Sequence, residues 1–421
     1  GADGTVRWLS AQVGDGTAAP VGDRALLNHS TLTVTRLQAG GPVLILGAHT
    51  EFDNSANTPC QYIGGDVTHK RCRRVFALAG TNGDLVRNWY APATDYSNNW
   101  PGYDGVRGVD NTLFEPPFVA DIDGDGHIEI LYEGTLWRED GTFNGTLVRQ
   151  FDGTLSGTPQ RRGSSRFGVG DLDGDGRAEI VFADQYNQLV RAQRPDGTLL
   201  WETLVSHCRT KCEVSIVDVD GDGAVDVLLA SRNRVTVLDG LGRVRWAKSY
   251  NDDQDPYWWV GCTNRPAVYD LDGDGVPEVV VRVNRYIRAL RGDTGAELDV
   301  LEIPGASSLS GQTCGYSTSE IRVVDQRGDG AARLVFASAY GYGFAVLKSA
   351  NDPWMPVRKR HGSWIDLPGA VGDSGHVNVA GPAPGMGGRP NIFGQQVQQA
   401  TRPDLRNRQR TSFTYAAHAG T

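Results

Sequence analysis

The sequence predicts an all-β repeat protein, and three observations support this fold class. Among 421 residues, 54 Gly and 20 Pro are scattered throughout, with short runs of Val, Leu, Ile, Tyr and Trp between them. Such runs, bounded by Asp-Gly or Gly-Asp turns, are typical of β-strands. No segment shows the apolar period of a three-turn helix. An acidic motif also returns at intervals of about 50 residues, which suits four-stranded repeat units.

The acidic motif reads Asp-x-Asp-Gly-Asp-Gly-x-x-Asp/Glu and occurs in four copies that align without gaps. Each copy stands between two apolar runs, so we expect it to join the first and second strands of a unit. The four copies begin at Asp121, Asp171, Asp218 and Asp270.

A second repeated feature is a hairpin with Gly in its turn and often Trp near the end of its last strand. It occurs at 197–201, 242–246 and, one residue longer, at 83–89, with a variant at 145–151. We expect the tryptophans to pack between neighbouring units. They are Trp8, Trp89, Trp201 and Trp246.

Units without an acidic loop are identified by an apolar second strand, at 43–46 near the N-terminus and 391–393 near the C-terminus. The count then predicts a seven-bladed β-propeller that forms a single domain over residues 1–421. Residues 1–9 would supply the outer strand of the last blade, and residues from about 376 to 415 its inner strands. This arrangement closes the ring and removes exposed strand edges. Six or eight blades are the alternatives, because the end units are the least regular.

The acidic loops predict bound calcium. Calcium takes six to eight oxygen ligands, and the loops offer carboxylates at positions 1, 3, 5 and 9 and a backbone carbonyl at position 7. The alternative is that Asp-Gly clusters are simple turns, but a turn needs only one acid, and crowded like charges require a cation. We expect about four structural Ca²⁺ ions. The predicted metal-site residues are Asp121, Asp123, Asp125, His127, Glu129, Asp171, Asp173, Asp175, Arg177, Glu179, Asp218, Asp220, Asp222, Ala224, Asp226, Asp270, Asp272, Asp274, Val276 and Glu278.

A fifth copy of the motif has decayed. It keeps Asp325 and Asp329, but Arg327 and Arg333 replace the acids at positions 3 and 9. A guanidinium neutralises aspartates without an ion, so we expect this copy to bind no metal.

These repeats resemble the FG-GAP/VCBS class, which is found in the integrin α-subunit propeller and in bacterial surface and secreted proteins. The segment 166–171, Arg-Phe-Gly-Val-Gly-Asp, retains the Phe-Gly element, whereas a clear Gly-Ala-Pro element is missing. The resemblance implies a propeller with calcium loops on one face and ligands bound on the other.

The six cysteines indicate an oxidising compartment. Their spacing favours Cys60–Cys72 and Cys208–Cys212 as local disulfides, which leaves Cys262 and Cys314 for each other. No stretch approaches the ~20 apolar residues of a membrane span. No signal peptide is present, so for a secreted protein we expect its removal before Gly1.

The long connections, which include 51–73, 91–118, 251–264 and 304–320, are expected to emerge together opposite the calcium loops, with all six cysteines in such connections or at their edges. They carry the aromatic residues Trp100, Tyr103, Tyr257, Trp258 and Trp259. Aromatic rings beside amides and acids suit a sugar- or protein-binding surface. The alternative is that the rings fill small cores within the loops.

The function expected from these features is that of a secreted or cell-surface recognition or adhesion module with a protein or glycan ligand. A net charge of −9 argues against a nucleic acid bound through its phosphates. The usual nucleophile, zinc and phosphate-loop signatures of enzymes do not occur. The alternative is a polysaccharide lyase, because some rhamnogalacturonan lyases have a similar repeat pattern.

Overall fold

A computed structural model describes the backbone of most of the predicted strands and of most of the acidic loops. The described residues are 32–35, 42–52, 61–62, 70–92, 118–120, 122, 129–132, 135–138, 167–175, 177–184, 188–206, 212–231, 233–250, 266–283, 286–302, 321–324, 331–337, 344–349 and 413–418. All secondary structure in these ranges is β-strand, and paired strands are antiparallel. The all-β class is therefore confirmed. None of these residues belongs to a helix long and apolar enough to cross a membrane.

The chain divides into two compact units, and the first consists mainly of residues 1–166. It contains sheets A and B. In sheet A, β4 pairs with β2 on one side and with β3 and β5 on the other, and β1 pairs with β2. The strands of sheet A are β1 (Leu32–Thr35), β2 (Leu44–Phe52), β3 (Gln61–Tyr62), β4 (Lys70–Ala79) and β5 (Leu85–Pro92); those of sheet B are β6 (Phe118–Ala120), β7 (Glu129–Tyr132) and β8 (Thr135–Arg138).

The second unit holds four sheets of four strands, C to F, and each strand pairs with the next along the chain. Sheet C comprises β9 (Phe167–Gly170), β10 (Glu179–Asp184), β11 (Leu189–Gln193) and β12 (Leu199–Leu204). Sheet D comprises β13 (Glu213–Val217), β14 (Asp226–Ser231), β15 (Arg234–Leu238) and β16 (Val244–Ser249). Sheet E comprises β17 (Ala267–Tyr269), β18 (Glu278–Val283), β19 (Tyr286–Arg291) and β20 (Glu297–Glu302). Sheet F comprises β21 (Arg322–Val324), β22 (Arg333–Ala337), β23 (Phe344–Ser349) and β24 (Phe413–His418).

The core of the second unit lies between successive sheets. After their first acid, the second strands β10, β14 and β18 contain three or four consecutive apolar residues, as expected for strands covered on both faces. Alternate side chains of each run enter different clusters: Val280 packs between sheets E and F, whereas Val279 and Val281 pack between D and E. The short apolar runs of the sequence are thus the buried strands.

Tryptophans join sheet C to D and sheet D to E, as predicted for Trp201 and Trp246. The indole Nε1–H of Trp201 donates to the Gly240 carbonyl at 2.9 Å, and that of Trp246 to the Gly292 carbonyl at 2.7 Å. Gly242 has φ +77°, and a Cβ added there would lie 2.6 Å from the Trp201 ring. The turn glycine therefore provides both the turn conformation and the room for the indole. Trp8 and the side chain of Trp89 lie outside the described residues.

The C-terminal strand completes sheet F. Residues from about 376 to 415 are expected to give the inner strands of the last blade; of these, the structure describes 413–415, which belong to Phe413–His418, the fourth strand of sheet F, paired with Phe344–Ser349. The partner strand β23 precedes it by more than 60 residues, so no local signal reveals this pairing. Residues 1–9 and 376–412, including 391–393, lie outside the described residues.

Sheet A confirms one expectation and corrects another. The apolar run at 43–46 lies at the start of β2, between β1 and β4, as expected for a second strand. The connection predicted at 51–73 is shorter, because the pairing of β2 with β4 extends to Phe52 and Arg71. Cys72 consequently lies within a strand.

Candidate metal centre

Each acidic loop joins the first and second strands of its sheet, in one shared register. The closing acid always faces the residue that precedes the first aspartate of the loop. These pairs are Ala120 with Glu129, Gly170 with Glu179, Val217 with Asp226 and Tyr269 with Glu278. In sheet F the same register places Arg333 opposite Val324. The pairing thus brings both ends of each loop together.

The first aspartate of a loop holds the backbone of its glycines. Oδ1 of Asp171 accepts the N–H of Gly174 at 2.7 Å, and Asp218 and Asp270 accept from the equivalent glycines at the same distance. Gly174 has φ +79°, a conformation that glycine adopts without steric cost. The chain therefore curls toward its own carboxylates.

The carboxylates at positions 3 and 5 use one oxygen in the same way. In loop 270–278, Asp272 Oδ1 accepts the N–H of Asp274 at 3.1 Å, and Asp274 Oδ1 accepts the N–H of Val276 at 2.8 Å. Loops 171–179 and 218–226 repeat both bonds. These bonds hold one oxygen of each acid against the loop backbone, which leaves its second oxygen for other partners.

The closing acid differs, because it is deeply buried. Glu278 is fully buried, and its Oε2 accepts the N–H of Leu271 at 2.7 Å. Glu179 is also fully buried and accepts from Leu172 at 2.8 Å. The second oxygen, Oε1, of each glutamate is buried without a hydrogen-bond partner. A buried carboxylate oxygen requires compensation, and a cation in the loop would supply it.

Carboxylate oxygens converge in three loops. In each group the oxygens of positions 1, 3 and 9 lie within 4.8 Å of one another. Oxygens at about 2.3–2.6 Å from one calcium ion lie at most about 5 Å apart. The groups are Asp171, Asp173 and Glu179; Asp218, Asp220 and Asp226; and Asp270, Asp272 and Glu278.

The pKa values of these groups show the cost of collecting negative charge. Burial, and then the neighbouring aspartates, raise the pKa of Glu179 to about 7. Burial likewise raises the pKa of Asp272 to about 6, and Asp274 adds to this shift. The pKa of Glu278 is raised well above its ordinary value by burial and by Asp272. A divalent cation would favour the ionised forms of all three.

Arginines contact the loops, and the motif alone did not indicate them. Arg194 lies 3.1 Å from Asp173, and Arg291 lies 2.6 Å from Asp274. In sheet D, Arg245 of β16 contacts Asp220 and lies 2.9 Å from Asp226. An arginine in the hairpin after each loop is the sequence signal that would have revealed them.

Several predicted site residues are placed only in part. The position-7 residues Arg177, Ala224 and Val276 donate their N–H groups to the position-5 acids, and their carbonyls as ligands stay a prediction. In the first loop, Ile122 donates to Glu129 Oε2 at 2.8 Å, the same bond as in the other loops. Asp121, Asp123, Asp125 and His127 lie outside the described residues.

The remaining predicted residues fall mostly outside the described ranges. Cys212 is buried and disulfide-bonded; the three pairings stay predictions. Outside the described residues lie Cys60, Cys208, Cys262, Cys314, Trp100, Tyr103, Tyr257, Trp258 and Trp259.

The register and the loops define a class of all-β protein with repeated acidic loops between the first two strands of its sheets. Residues 218–281 match the FG-GAP-like repeat family, which confirms the recognition of this repeat. The matched segment begins at the first aspartate of one loop and ends in the strand after the next loop. A search of curated proteins gave no match.

Solved structures with similar chains include a biofilm matrix protein, a lectin and a lyase. The V. cholerae biofilm matrix protein Bap1 is 14% identical, with 88% of this chain and 85% of that chain covered and a TM-score of 0.47. An Agrocybe aegerita lectin that recognises non-reducing terminal N-acetylglucosamine is 20% identical (78% and 79% covered, TM-score 0.42). The Bacillus licheniformis rhamnogalacturonan lyase PL11 is 16% identical (77% and 66% covered, TM-score 0.30). These TM-scores carry no inference about ligand or activity.

Proposed function

We propose that this chain is an extracellular calcium-binding β-propeller of seven blades that recognises a protein or a glycan. The main support for a calcium site is the Oε1 atom of Glu179 and of Glu278. Each is buried without a hydrogen bond and belongs to a glutamate clustered with aspartate carboxylates. The FG-GAP-like match over 218–281 supports a secreted or cell-surface location.

The donor set fits calcium better than other common cations. All side-chain donors are carboxylate oxygens, whereas structural zinc sites use thiolates and imidazoles. Magnesium usually retains several waters and is held by one or two carboxylates. The acids at positions 1, 3, 5 and 9, with the position-7 carbonyl, would hold each ion. When bound, the ion neutralises the loop and joins the first two strands of its sheet.

The ligand surface is proposed on the connections opposite the acidic loops. In sheets D and E the strands alternate in direction, so β16 ends and β17 begins at the end opposite loops 218–226 and 270–278. The connection between these strands carries Tyr257, Trp258 and Trp259. We propose that these residues, with Trp100 and Tyr103, form the ligand surface. The predicted disulfides would stabilise the connections that carry it.

Elemental analysis of dialysed protein tests the calcium proposal. We expect about four calcium ions per chain, which would change the formal charge from −9 to about −1. A stoichiometry of one or none would contradict the proposal.

A glycan array and incubation with pectic polysaccharides test the ligand proposal. We expect the calcium-loaded chain to bind a glycan and Trp258→Ala to lose this binding. The control Trp201→Phe, at the junction of sheets C and D, should retain it. Unsaturated oligosaccharide products would instead identify the chain as a lyase.

Peptide mapping without reduction tests the disulfides. The expected pairs are Cys60–Cys72, Cys208–Cys212 and Cys262–Cys314. Free thiols, or Cys60 joined to Cys314, would refute this pairing.

A further inference from the structure

Loop 218–226 differs from its two described neighbours at the closing position. Loops 171–179 and 270–278 end in glutamates whose Oε1 has no hydrogen bond. Loop 218–226 ends in Asp226, whose Oδ1 accepts a hydrogen bond from Arg245 at 2.9 Å. The oxygen that is available to a cation in the other loops is thus already bound to a guanidinium.

Arg245 also contacts the other acids of this loop. Its NH2 group donates to Oδ2 of Asp220, and its NH1 group lies 3.9 Å from Asp222. The same guanidinium therefore bridges positions 3 and 9 of the predicted metal site.

The arginines beside the two neighbouring loops contact other positions of their loops. Among the described acids, Arg194 pairs with Asp173 and, at 4.0 Å, with Asp175, which are at positions 3 and 5. Arg291 contacts Asp274, at position 5, and Asp293, which is outside the loop. Neither forms an ion pair with the closing glutamate in the described structure. The contact with a closing acid distinguishes Arg245 from both.

A β-bulge gives Arg245 this reach. Val237 pairs with Trp246 and Leu238 with Val244, so Arg245 is the extra residue of the bulge. A bulge redirects a side chain relative to a regular strand. The bulge residues of sheets C and E are Leu200 and Leu298, and both pack against the core. An apolar residue at this position is therefore the pattern from which sheet D departs.

We propose that Arg245 is an internal counter-cation that makes loop 218–226 the weakest of the three described calcium sites. This inference rests on the proposed calcium function. Calcium must displace the guanidinium from Asp220 and Asp226 or bind beside its positive charge. The charge of the ligand set tunes calcium affinity over several decades, and an arginine keeps its charge at all accessible pH values. When calcium is scarce, Arg245 neutralises the loop in its place.

Calcium titration of stripped protein by calorimetry tests this inference with Arg245→Leu, which restores the residue type of sheets C and E. In the wild type, one equivalent should bind about tenfold or more weakly than the others, and Asp220→Asn should abolish that equivalent. Arg245→Leu should tighten it by about tenfold. Arg243→Leu is the matched control, because Arg243 is on the same hairpin and its ion pair in the described part of the chain is with Asp239, outside the loop; it should leave every affinity unchanged.

Thermal unfolding supplies a second readout that separates competition from a structural role. Without calcium, Arg245→Leu should lower the melting temperature, because buried Asp226 loses its partner. In saturating calcium it should match or exceed the wild type. If this variant does not fold, Arg245→Gln should show the same tightening, reduced in size.

Two outcomes would overturn the inference. One is an unchanged or weaker calcium affinity in both Arg245 variants while other equivalents bind normally. The other is an equal loss of melting temperature with and without calcium. A wild-type chain that binds no calcium at all would refute the proposed calcium function instead.

Discussion

Sheets E and F share one strand register but differ at the residue that closes the first loop. Glu278 in sheet E is fully buried and has an oxygen without a hydrogen bond. Arg333, at the same position in sheet F, is also buried, and its guanidinium donates to the Ala331 carbonyl at 3.1 Å. The shared strand register accommodates either sign of charge at this position. An acid there could be compensated by a cation from solution, as we propose for calcium, whereas an arginine brings positive charge with the chain.

The two sides of sheet E also differ. Sheet D contacts sheet E through Trp246 of its fourth strand. In sheet E, the equivalent position of the fourth strand is Asp299. The boundary between sheets E and F is filled instead by apolar side chains, with Leu298 and Leu301 packed against the shared core. The indole hydrogen bond is thus one way of joining sheets, and apolar packing is another.

Removal of calcium should have the largest effect, and it tests the difference between the acid Glu278 in sheet E and Arg333 in sheet F. Extracellular modules bind calcium with dissociation constants of roughly 10⁻⁴–10⁻³ M. At about 1 mM calcium each site would then add ~0.4–1.4 kcal/mol, and four sites ~2–6 kcal/mol, a large share of a typical folding free energy of ~5–15 kcal/mol. We therefore expect a chelator to lower the melting temperature by several degrees or more, and Asp173→Ala to reproduce part of that loss. An unmoved melting curve together with loss of a measurable activity would show that the ions act in chemistry instead.

Restoring the acids of the fifth copy should give the loop of sheet F a calcium site like the one proposed in sheet E. The double variant Arg327→Asp with Arg333→Glu regains acids at positions 3 and 9 beside Asp325 and Asp329. It should bind one more calcium ion and, in chelator, lose about 1–3 kcal/mol of stability through its uncompensated buried carboxylate. Elemental analysis and thermal unfolding measure both effects. Arg333→Gln is the control, since it removes the guanidinium without adding an acid; a folded double variant with no added ion would contradict the prediction.

The reverse change, Glu278→Gln, should remove one calcium ion. The amide oxygen still accepts the N–H of Leu271, so the backbone bond survives while the charged ligand is lost. In about 1 mM calcium the stability should fall by ~1 kcal/mol, whereas in chelator it should not fall, because one carboxylate of a crowded set is gone. Calorimetric titration checks the stoichiometry. Glu297→Gln, in the same sheet but outside the loop, should keep every calcium equivalent.

The sequence predicted those features that local spacing determines. Spacing alone placed Glu278 at the closing position of its loop and Trp246 beside the next sheet, because both lie within a few residues of a recognisable turn. Arg245 was missed: the sequence shows an arginine in the hairpin after the loop, but not the β-bulge that brings Arg245 to Asp226. The pairing of Phe413–His418 with β23 was missed because it joins segments far apart in the chain. Long-range pairing depends on the packed fold more than on local preference.

The smallest expected effect concerns the junction between sheets D and E. Trp246→Phe keeps an aromatic ring in place but removes the hydrogen bond to the Gly292 carbonyl. Loss of one such bond costs about 1 kcal/mol, and the effect should be equal with and without calcium because the indole contacts no loop carboxylate. Thermal unfolding under both conditions measures it, with Ala247→Ser, exposed on the same strand, as a control expected within about 0.5 kcal/mol of the wild type. A cost that appeared only in chelator would mean that the junction and the calcium loops are coupled.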